Sequence, residues 1–221
     1  MKREIIVTKD GSTTIFFPEI NETYHSKFGA ILESKHVFID MGLKLFAEKK
    51  SISILEMGFG TGLNALLTEI ESQKTSQHID YVGLEAHPVA ANEVAQMNFT
   101  DELDAKNGKF IFEKMHACEW NIKNTITNTF SLTKINQFFQ EVNFKNEFDL
   151  IYFDAFGFRV EPELWSKEMF EKMHHALKNN GVLVTYACRS SIKNDMLAIG
   201  FKIEKLPGAP GKREMLRATK I

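Results

Sequence analysis

The sequence lacks the features that mark several common classes of protein. Only two of its 221 residues are cysteines, Cys118 and Cys188, which excludes a disulfide framework and a cysteine-based metal site. Residues 1–11 lack the apolar stretch of a signal peptide, and no apolar run approaches the ~20 residues that span a bilayer. We therefore expect a cytoplasmic protein with no membrane contact and no metal.

A strong excess of positive charge is also missing. The 27 Lys and Arg residues are balanced by 29 Asp and Glu residues, for a net charge of −2. The chain as a whole is therefore not a strongly basic nucleic-acid binder. The charge is uneven, however, because residues 189–221 contain eight basic and three acidic side chains. A solvated face and a docking surface for a phosphate backbone both fit this pattern.

The residues that are present have the balance of a globular protein. Hydrophobic residues make up 43% and charged residues 25%, and the length suits one α/β domain. We expect a single domain with an N-terminal extension over 1–50 and a core over 51–221. An insertion near 121–147 is predicted to form a short helix or a flexible lid.

Two short strands begin the N-terminal extension. Glu4–Val7 and Thr13–Phe17 flank Asp10 and Gly11, and an Asp-Gly pair is a strong signal for a β-hairpin turn. Apolar residues then recur at spacings of three and four, which predicts an amphipathic helix over 34–48. The extension should therefore contain a hairpin followed by a helix.

Short apolar runs and helical patterns alternate along the core. Strands are predicted over 51–57, 79–84, 109–115, 148–153, 181–187, 201–206 and 214–219. Helices are predicted over 65–72, 88–98, 162–178 and 188–199. This alternation predicts a Rossmann-like α/β fold with a mostly parallel sheet covered on both faces. No helix separates the last two strands, so we expect a C-terminal hairpin that adds an antiparallel strand.

A glycine-rich segment follows the first core strand. It reads Glu56-Met57-Gly58-Phe59-Gly60-Thr61-Gly62-Leu63-Asn64. Glycine permits positive φ and lets a ligand approach the backbone, and the helix that follows offers free N–H groups. A tight strand-to-helix turn alone also requires glycine. The strand before the segment, the helix after it and the acid Glu85 at the end of the next strand favour a cofactor-binding loop.

Two carboxylates indicate which cofactor this loop would bind. Glu85 is placed to accept hydrogen bonds from both ribose hydroxyls, although an acid that starts a surface helix is the alternative. The loop has G-x-G-x-G, whereas the dinucleotide fingerprint is G-x-G-x-x-G. Glu56 beside the loop would repel a phosphate and suits an ammonium group. The sequence therefore favours S-adenosylmethionine, which has a ribose, an ammonium and no phosphate, over a nicotinamide cofactor.

Asp154 ends the predicted strand 148–153 and should lie at the same edge of the sheet. Methyl transfer to nitrogen needs alignment of the reactants and exclusion of water. An alkylammonium acceptor, with a free pKa of about 10.4, must lose a proton before it attacks. Asp154 is a candidate to hold that ammonium or take its proton. It is alternatively a residue that only ends the strand, and whether it faces the amine or the cofactor stays open.

Several further segments carry a family resemblance. They are Asp10-Gly11-Ser12, Glu22-Thr23-Tyr24-His25-Ser26, Glu33-Ser34, the glycine segment 55–64, Asp154-Ala155-Phe156, Pro162-Glu163-Leu164-Trp165, Thr185-Tyr186 and Gly211-Lys212-Arg213-Glu214-Met215. With them, the chain resembles the MnmC-type tRNA methyltransferases over nearly its whole length. It is similar to the form that has no FAD-dependent oxidase domain.

The resemblance implies a class I S-adenosylmethionine-dependent methyltransferase. The expected reaction converts 5-aminomethyl-(2-thio)uridine at the wobble position of tRNA to the 5-methylaminomethyl form. The anticodon loop of tRNA would be the partner, and a separate enzyme would supply the aminomethyl precursor. Alternatives on the same fold are a small-molecule amine or O-methyltransferase, an aminopropyltransferase, and a catalytically silent module that binds cofactor or RNA.

The predicted site combines the motifs with this resemblance. The cofactor-binding candidates are Glu56, Gly58, Phe59, Gly60, Thr61, Gly62, Asn64, Glu85, His116 and Asp154. Asp154 is also the catalytic candidate, and His116 follows the predicted strand 109–115, where adenine is usually approached. The substrate candidates are Tyr24, His25, Ser26, Phe156, Lys212 and Arg213, since aromatic rings stack on bases and basic groups bind phosphates.

Three positions depart from the family pattern. Phe158 stands where a proline is usual, and Glu161 stands where a glutamine is usual. Ser190, Lys193 and Asn194 stand where a glycine and paired arginines are typical. The first two lie beside the expected acceptor pocket, and the third lies on the expected RNA-contacting surface.

Overall fold

A small antiparallel sheet forms the start of the chain in the computed structural model, which describes residues 2–105 and 107–221. Its strands are Glu4–Val7 (β1), Thr13–Phe17 (β2) and Glu22–Thr23 (β3), in the order β1-β2-β3. Strands β1 and β2 pair antiparallel, so the predicted hairpin is confirmed. Gly11 in its turn has φ +89, a conformation that favours glycine.

The core is a sheet of eight strands. They are Ser51–Met57 (β4), His78–Leu84 (β5), Lys123–Thr125 (β6), Phe130–Ile135 (β7), Phe148–Phe153 (β8), Leu177–Thr185 (β9), Phe201–Pro207 (β10) and Glu214–Lys220 (β11). The order is β10-β11-β9-β8-β4-β5-β7-β6. Strands β7, β5, β4, β8 and β9 are parallel, and β11 lies antiparallel between β9 and β10. The predicted mostly parallel sheet with a C-terminal hairpin is confirmed.

Helices connect the strands. They are Ala30–Ser34 (α1), Leu63–Thr75 (α2), Ala91–Val94 (α3), Phe99–Glu102 (α4), Gly108–Ala117 (α5), Lys167–Ala176 (α6) and Ser190–Ile199 (α7). Within the described parts of the chain, no helix is long and apolar enough to cross a membrane.

The sheet is buried on both faces. Alternate residues of its strands belong to different apolar clusters: Ile54 and Tyr152 join one, whereas Leu55 and Phe153 join the other. The first cluster includes side chains of α2 and α5, and the second includes side chains of α6 and α7. Helices thus cover both faces of the sheet, as expected for strands that are apolar on both sides.

The prediction of a strand over 109–115 is wrong, because these residues lie in helix α5. Ile111, Phe112 and Met115 are buried together on one side of that helix, whereas Phe110 is 68% exposed. The third parallel strand is instead β7, in which buried and half-buried residues alternate. The short helix predicted within 121–147 is therefore also wrong. That segment contains β6, β7 and a 3₁₀ turn over Phe139–Glu141.

Two predicted helices are shorter than their sequence patterns suggested. The helix over 34–48 begins earlier, at Ala30, continues as a π-helix over Lys35–Asp40 and ends before Gly42. A Cβ at Gly42 would lie 2.5 Å from the carbonyl oxygen of Phe38, so the chain turns sharply there. Of the helix predicted over 88–98, only the single turn α3 is present, because Pro88 lies before it and α4 begins at Phe99.

Candidate active site

The carboxyl ends of β4, β5 and β8 open into a cavity of about 620 Å³. Gly58, Glu85 and Asp154 follow these three strands and line it, as the topology of a parallel sheet requires. Strand β3 and residues 24–26 line the cavity from the N-terminal extension. The extension therefore forms part of the candidate site.

The glycine loop is built for close approach. Gly58 has φ +100 and Gly60 has φ +49, both in the region that favours glycine. A Cβ on Gly58 would lie 2.7 Å from the backbone oxygen of Asp154, and one on Gly60 would lie 3.0 Å from the Tyr24 ring. Side chains at these positions would therefore disrupt both the loop and the cavity wall.

Glu85 is held against this loop by the backbone. Its Oε2 accepts a hydrogen bond from the Gly60 N–H at 2.9 Å, and its Oε1 accepts one from the His87 N–H at 2.8 Å. A carboxylate oxygen has a second lone pair. Both oxygens are therefore fixed in place and still able to accept hydrogen bonds from a ligand with two neighbouring hydroxyls.

Asn64 connects two acidic side chains below the loop. Its Nδ2 lies 2.8 Å from Glu56 Oε1 and 2.8 Å from Asp154 Oδ2. Burial raises the pKa of Glu56 well above its usual range, and burial raises the pKa of Asp154 to about 7. Asp154 lines the cavity, whereas Glu56 lies fully buried beneath it. Glu56 therefore does not line the cavity, as a contact with a ligand ammonium would require, and Asp154 is the acid of this pair that does.

An ion pair lies near Asp154. Lys212 Nζ is 2.6 Å from Glu33 Oε1, and it lies 3.7 Å from the ring centroid of Tyr186. Glu33 raises the pKa of Asp154, and Lys212 lowers it. Lys212 was predicted to bind a phosphate, but its ion pair places it in the cavity wall. Glu33 was missed as a site residue, although it stands in the Glu33-Ser34 segment of the family pattern.

The segment Tyr24–Ser26 joins the cavity wall as predicted from the resemblance. The Tyr24 ring is stacked on Phe17 at 5.6 Å and packs edge-on against Phe156 at 5.1 Å. His25 Nε2 is 2.8 Å from Thr61 Oγ1, which ties the extension to the glycine loop. Burial lowers the pKa of His25 to about 4, so its ring is neutral near pH 7. His25 is predicted from the sequence to stack on a base, and this role does not fit its buried position.

Two predicted site residues lie elsewhere. His116 ends a helix and not a strand, and its Nε2 is 3.1 Å from the carbonyl oxygen of Thr61. It lines a second cavity of about 430 Å³, which shares Phe59 and Gly60 with the first. A Cβ on Gly62 would lie 2.9 Å from His116 Nε2, so this glycine makes room for the histidine. Arg213 is exposed and, unlike Lys212, is not among the residues that line the cavity.

Aromatic residues after β5 and β7 complete the wall near Glu85. His87, Phe138 and Phe139 line the cavity, and the rings of His87 and Phe138 are 5.8 Å apart. Phe138 and Phe139 were not predicted as site residues because β7 was not recognised as a strand, and His87 was missed although it stands two residues after Glu85. The alternating apolar residues of 130–135 were the signal that could have located them.

The cavity is acidic. Its lining contains six acidic and two basic side chains: Glu22, Glu33, Glu85, Asp154, Glu161 and Glu163, with Arg3 and Lys212. Burial and the nearby Glu163 raise the pKa of Glu161. A site of this charge suits a cationic ligand and disfavours a phosphate.

Comparisons with known proteins agree with this geometry. A family model described as S-adenosyl-L-methionine-dependent methyltransferase matches residues 98–221. The tRNA 5-methylaminomethyl-2-thiouridine biosynthesis bifunctional protein MnmC of Leptospira interrogans is 27% identical over 226 residues, covering 96% of this chain and 34% of that protein. The protein of the same name from Campylobacter fetus is 25% identical over 218 residues, covering 93% and 34%.

A solved structure has the same fold. The crystal structure of MNMC2 from Aquifex aeolicus has a TM-score of 0.78 and 24% sequence identity, and the match covers 98% of this chain and 69% of that one. The resemblance to MnmC-type proteins is confirmed. The chain spans about a third of the length of the curated relatives it matches.

Proposed function

We propose that this chain, which belongs to the family of S-adenosyl-L-methionine-dependent methyltransferases, methylates the amine of a modified uridine in tRNA. The reaction would take place in the cavity described above. The proposed reaction converts 5-aminomethyl-(2-thio)uridine at the wobble position to 5-methylaminomethyl-(2-thio)uridine. The observation that carries this proposal is Asp154, a half-buried carboxylate in the wall of an acidic cavity beside the glycine loop. The names of the relatives support the substrate.

The residues at the glycine loop fit this cofactor. Gly58 and Gly60 leave room that a Cβ would fill, and Glu85 offers two fixed oxygens for the ribose hydroxyls. When bound, S-adenosylmethionine supplies an electrophilic methyl group on a sulfonium centre. We assign the cradle to Gly58, Phe59, Gly60, Thr61, Gly62 and Asn64. The aromatic group His87, Phe138 and Phe139 provides an apolar wall suited to adenine.

The acceptor half of the cavity combines aromatic rings with acids. Tyr24, Phe156 and Tyr186 line it together with Glu161 and Asp154. The rings suit a base, and the carboxylates attract an ammonium group. The cavity therefore matches an amine attached to a nucleobase better than it matches either part alone.

Asp154 carries the proton step in this mechanism. The acceptor ammonium gives a proton to the carboxylate of Asp154, which leaves a lone pair on nitrogen for the new N–C bond. With a pKa of about 7, Asp154 is both partly ionised and basic enough near neutral pH. Asn64 holds Oδ2 in place for this transfer.

The proposed function also has consequences for the domain organisation, the compartment and the source of the substrate. We assign residues 1–221 to one methyltransferase domain, in which the extension 1–50 closes the acceptor side. The tRNA substrate places the reaction in the cytoplasm. An activity separate from this domain supplies the aminomethyl uridine, since a methyl transfer does not form a primary amine.

One experiment tests the function directly. The protein is incubated with labelled S-adenosylmethionine and with tRNA that carries 5-aminomethyluridine, and the nucleosides are then separated. We expect label in 5-methylaminomethyluridine, and loss of transfer in Asp154→Asn with cofactor binding retained. Cofactor binding without label in tRNA would overturn the substrate assignment. Transfer to free amines in the absence of RNA would identify a small-molecule methyltransferase.

A further inference from the structure

An aromatic side chain is fixed at the rim of the cavity and left open to solvent. Phe28 is 46% exposed, although it is large and apolar. Its backbone N–H donates to Ser26 Oγ at 3.1 Å, and Ser26 lines the cavity. A Cβ on Gly211 would overlap the Phe28 ring, so the ring packs directly on the loop that precedes Lys212. Phe28 is therefore held between two segments of the cavity wall.

One lysine lies over this ring, and two further basic residues stand next to it or to Lys212 in the chain. Lys9 Nζ lies 4.3 Å from the Phe28 ring centroid, and the Lys9 N–H donates to the Lys27 carbonyl oxygen at 3.1 Å. Lys27 Nζ lies 4.3 Å from the ring centroid of Phe16. Arg213 is exposed two residues after Gly211. We call Lys9, Lys27, Phe28 and Arg213 the rim strip.

Two acids close to the strip in the fold already have partners. Asp10 Oδ2 accepts from the Leu32 N–H at 2.9 Å, and Asp10 Oδ1 accepts from the Thr8 hydroxyl at 2.7 Å. Glu33 is paired with Lys212 in the cavity wall. The rim strip is thus basic, whereas the cavity that it borders is lined mainly by carboxylates. A phosphate is repelled from the interior and attracted to the rim.

We propose that the rim strip binds the single-stranded RNA loop that presents the target nucleotide. Phe28 stacks on the base of a nucleotide that neighbours the target, while Lys9, Lys27 and Arg213 contact the phosphates on either side. The inference rests on the proposed function, because it takes RNA as the substrate. It adds residues that neither the glycine motif nor the acceptor pocket includes.

The test measures RNA binding without methyl transfer. The probe is a fluorescent anticodon stem–loop RNA, titrated with the wild-type protein and with Phe28→Leu, which keeps apolar packing on Gly211 but removes the aromatic face. We expect a roughly tenfold higher Kd for Phe28→Leu, in line with the loss of one stacked base. Phe28→Tyr should restore wild-type affinity. Phe110→Leu is the matched control, because Phe110 is 68% exposed on α5.

The salt dependence of RNA binding tests the basic residues of the rim strip. Lys9→Ala should weaken binding and reduce the slope of log K against log salt by about 0.7, the value for one phosphate contact with a single strand. The matched control is Lys74→Ala, an exposed lysine in the last turn of α2, the end of that helix away from the glycine loop.

The outcomes separate the two proposals. Equal affinities of Phe28→Leu and Phe110→Leu, or no binding of the stem–loop by the wild-type protein, would overturn the rim strip. Binding that depends on Phe28, with no transfer to aminomethylated tRNA, would overturn the proposed reaction and leave the RNA surface supported.

Discussion

Asn64 donates a hydrogen bond to Asp154, with 2.8 Å between Nδ2 and Oδ2. The same nitrogen lies 2.8 Å from Glu56 Oε1, so one amide group joins the buried carboxylate of Glu56 to the half-buried carboxylate of Asp154. Burial raises the pKa of both acids, and the hydrogen bond from Asn64 acts against that rise. The charge of Asp154 near neutral pH therefore depends on Asn64.

We expect this dependence to appear in the pH profile of methyl transfer. Asp154 accepts a proton only when it is ionised, so wild-type kcat/KM for RNA should rise with pH and level off above about pH 7. Asn64→Ala removes the donor and should move this rise to higher pH. The profiles are measured at saturating cofactor, with exposed Asn92→Ala as the control. A rise at the same pH in Asn64→Ala would contradict the proposed link.

Gly58 provides a test of the cofactor cradle. Gly58→Ala places a side chain at φ +100 and 2.7 Å from the backbone oxygen of Asp154, which cannot rotate away. We expect a loss of about 1–3 kcal/mol of stability and a clear loss of affinity for S-adenosylmethionine. Calorimetry and thermal unfolding measure these two effects.

Gly157→Ala is the matched control for the unfolding measurement. A Cβ there would have its nearest neighbour at 3.8 Å, so the melting temperature should stay close to that of the wild type. Wild-type cofactor affinity in Gly58→Ala would show that the loop does not form the cradle.

Local signals made the cofactor half of the site predictable. The Asp-Gly turn located the first hairpin, and the strand, glycine and acid spacing brought Gly58, Glu85 and Asp154 to one edge of the sheet. Each of these inferences uses residues close in sequence or a general rule of parallel sheets. The predicted cofactor is also the one that defines the family.

The parts of the fold and of the site that the sequence did not predict depend on contacts between residues that are distant in the chain. The run Lys109–Phe112 resembles a strand, but its burial pattern is that of a helix, because packing against α2 and α4 decides the outcome. That error hid β7 and with it Phe138 and Phe139. The pairing of Glu33 with Lys212 joins residues that no local pattern relates. Sequence periodicity does not report such partners.

His25 should make stability fall in acid. Burial lowers its pKa from 6.5 to about 4 in the folded state. Below pH 6.5 the unfolded chain therefore takes up a proton that the folded chain does not bind, so stability decreases as pH falls toward 4. The contribution of this group is on the order of 3 kcal/mol.

Urea unfolding at several pH values between 7 and 4.5 measures this effect. His25→Gln keeps a donor for Thr61 and does not titrate, so its stability should fall less over this range. His78→Gln, at an exposed position at the start of β5, should fall as the wild type does. An equal fall in His25→Gln and the wild type would show that His25 is not the group responsible.

Glu56 should show the opposite dependence on pH. It is fully buried, and its Oε2 has no hydrogen-bond partner among the described residues. Burial raises its pKa well above 4.5 in the folded state. Above pH 4.5 the unfolded chain loses this proton more readily than the folded chain, so wild-type stability declines as pH rises.

Glu56→Gln removes that penalty while keeping an oxygen that accepts from Asn64. We therefore expect a more stable protein in the absence of cofactor, by at least about 1 kcal/mol at pH 8, with a smaller gain at pH 5. The exposed variant Glu48→Gln should change little at either pH. A gain that is absent at pH 8, or equal at the two pH values, would mean that the buried carboxylate does not weaken the fold. A gain that grows with pH, together with reduced methyl transfer, would show that the Glu56 carboxyl group is kept below the loop at a cost in stability because the site above it depends on this group.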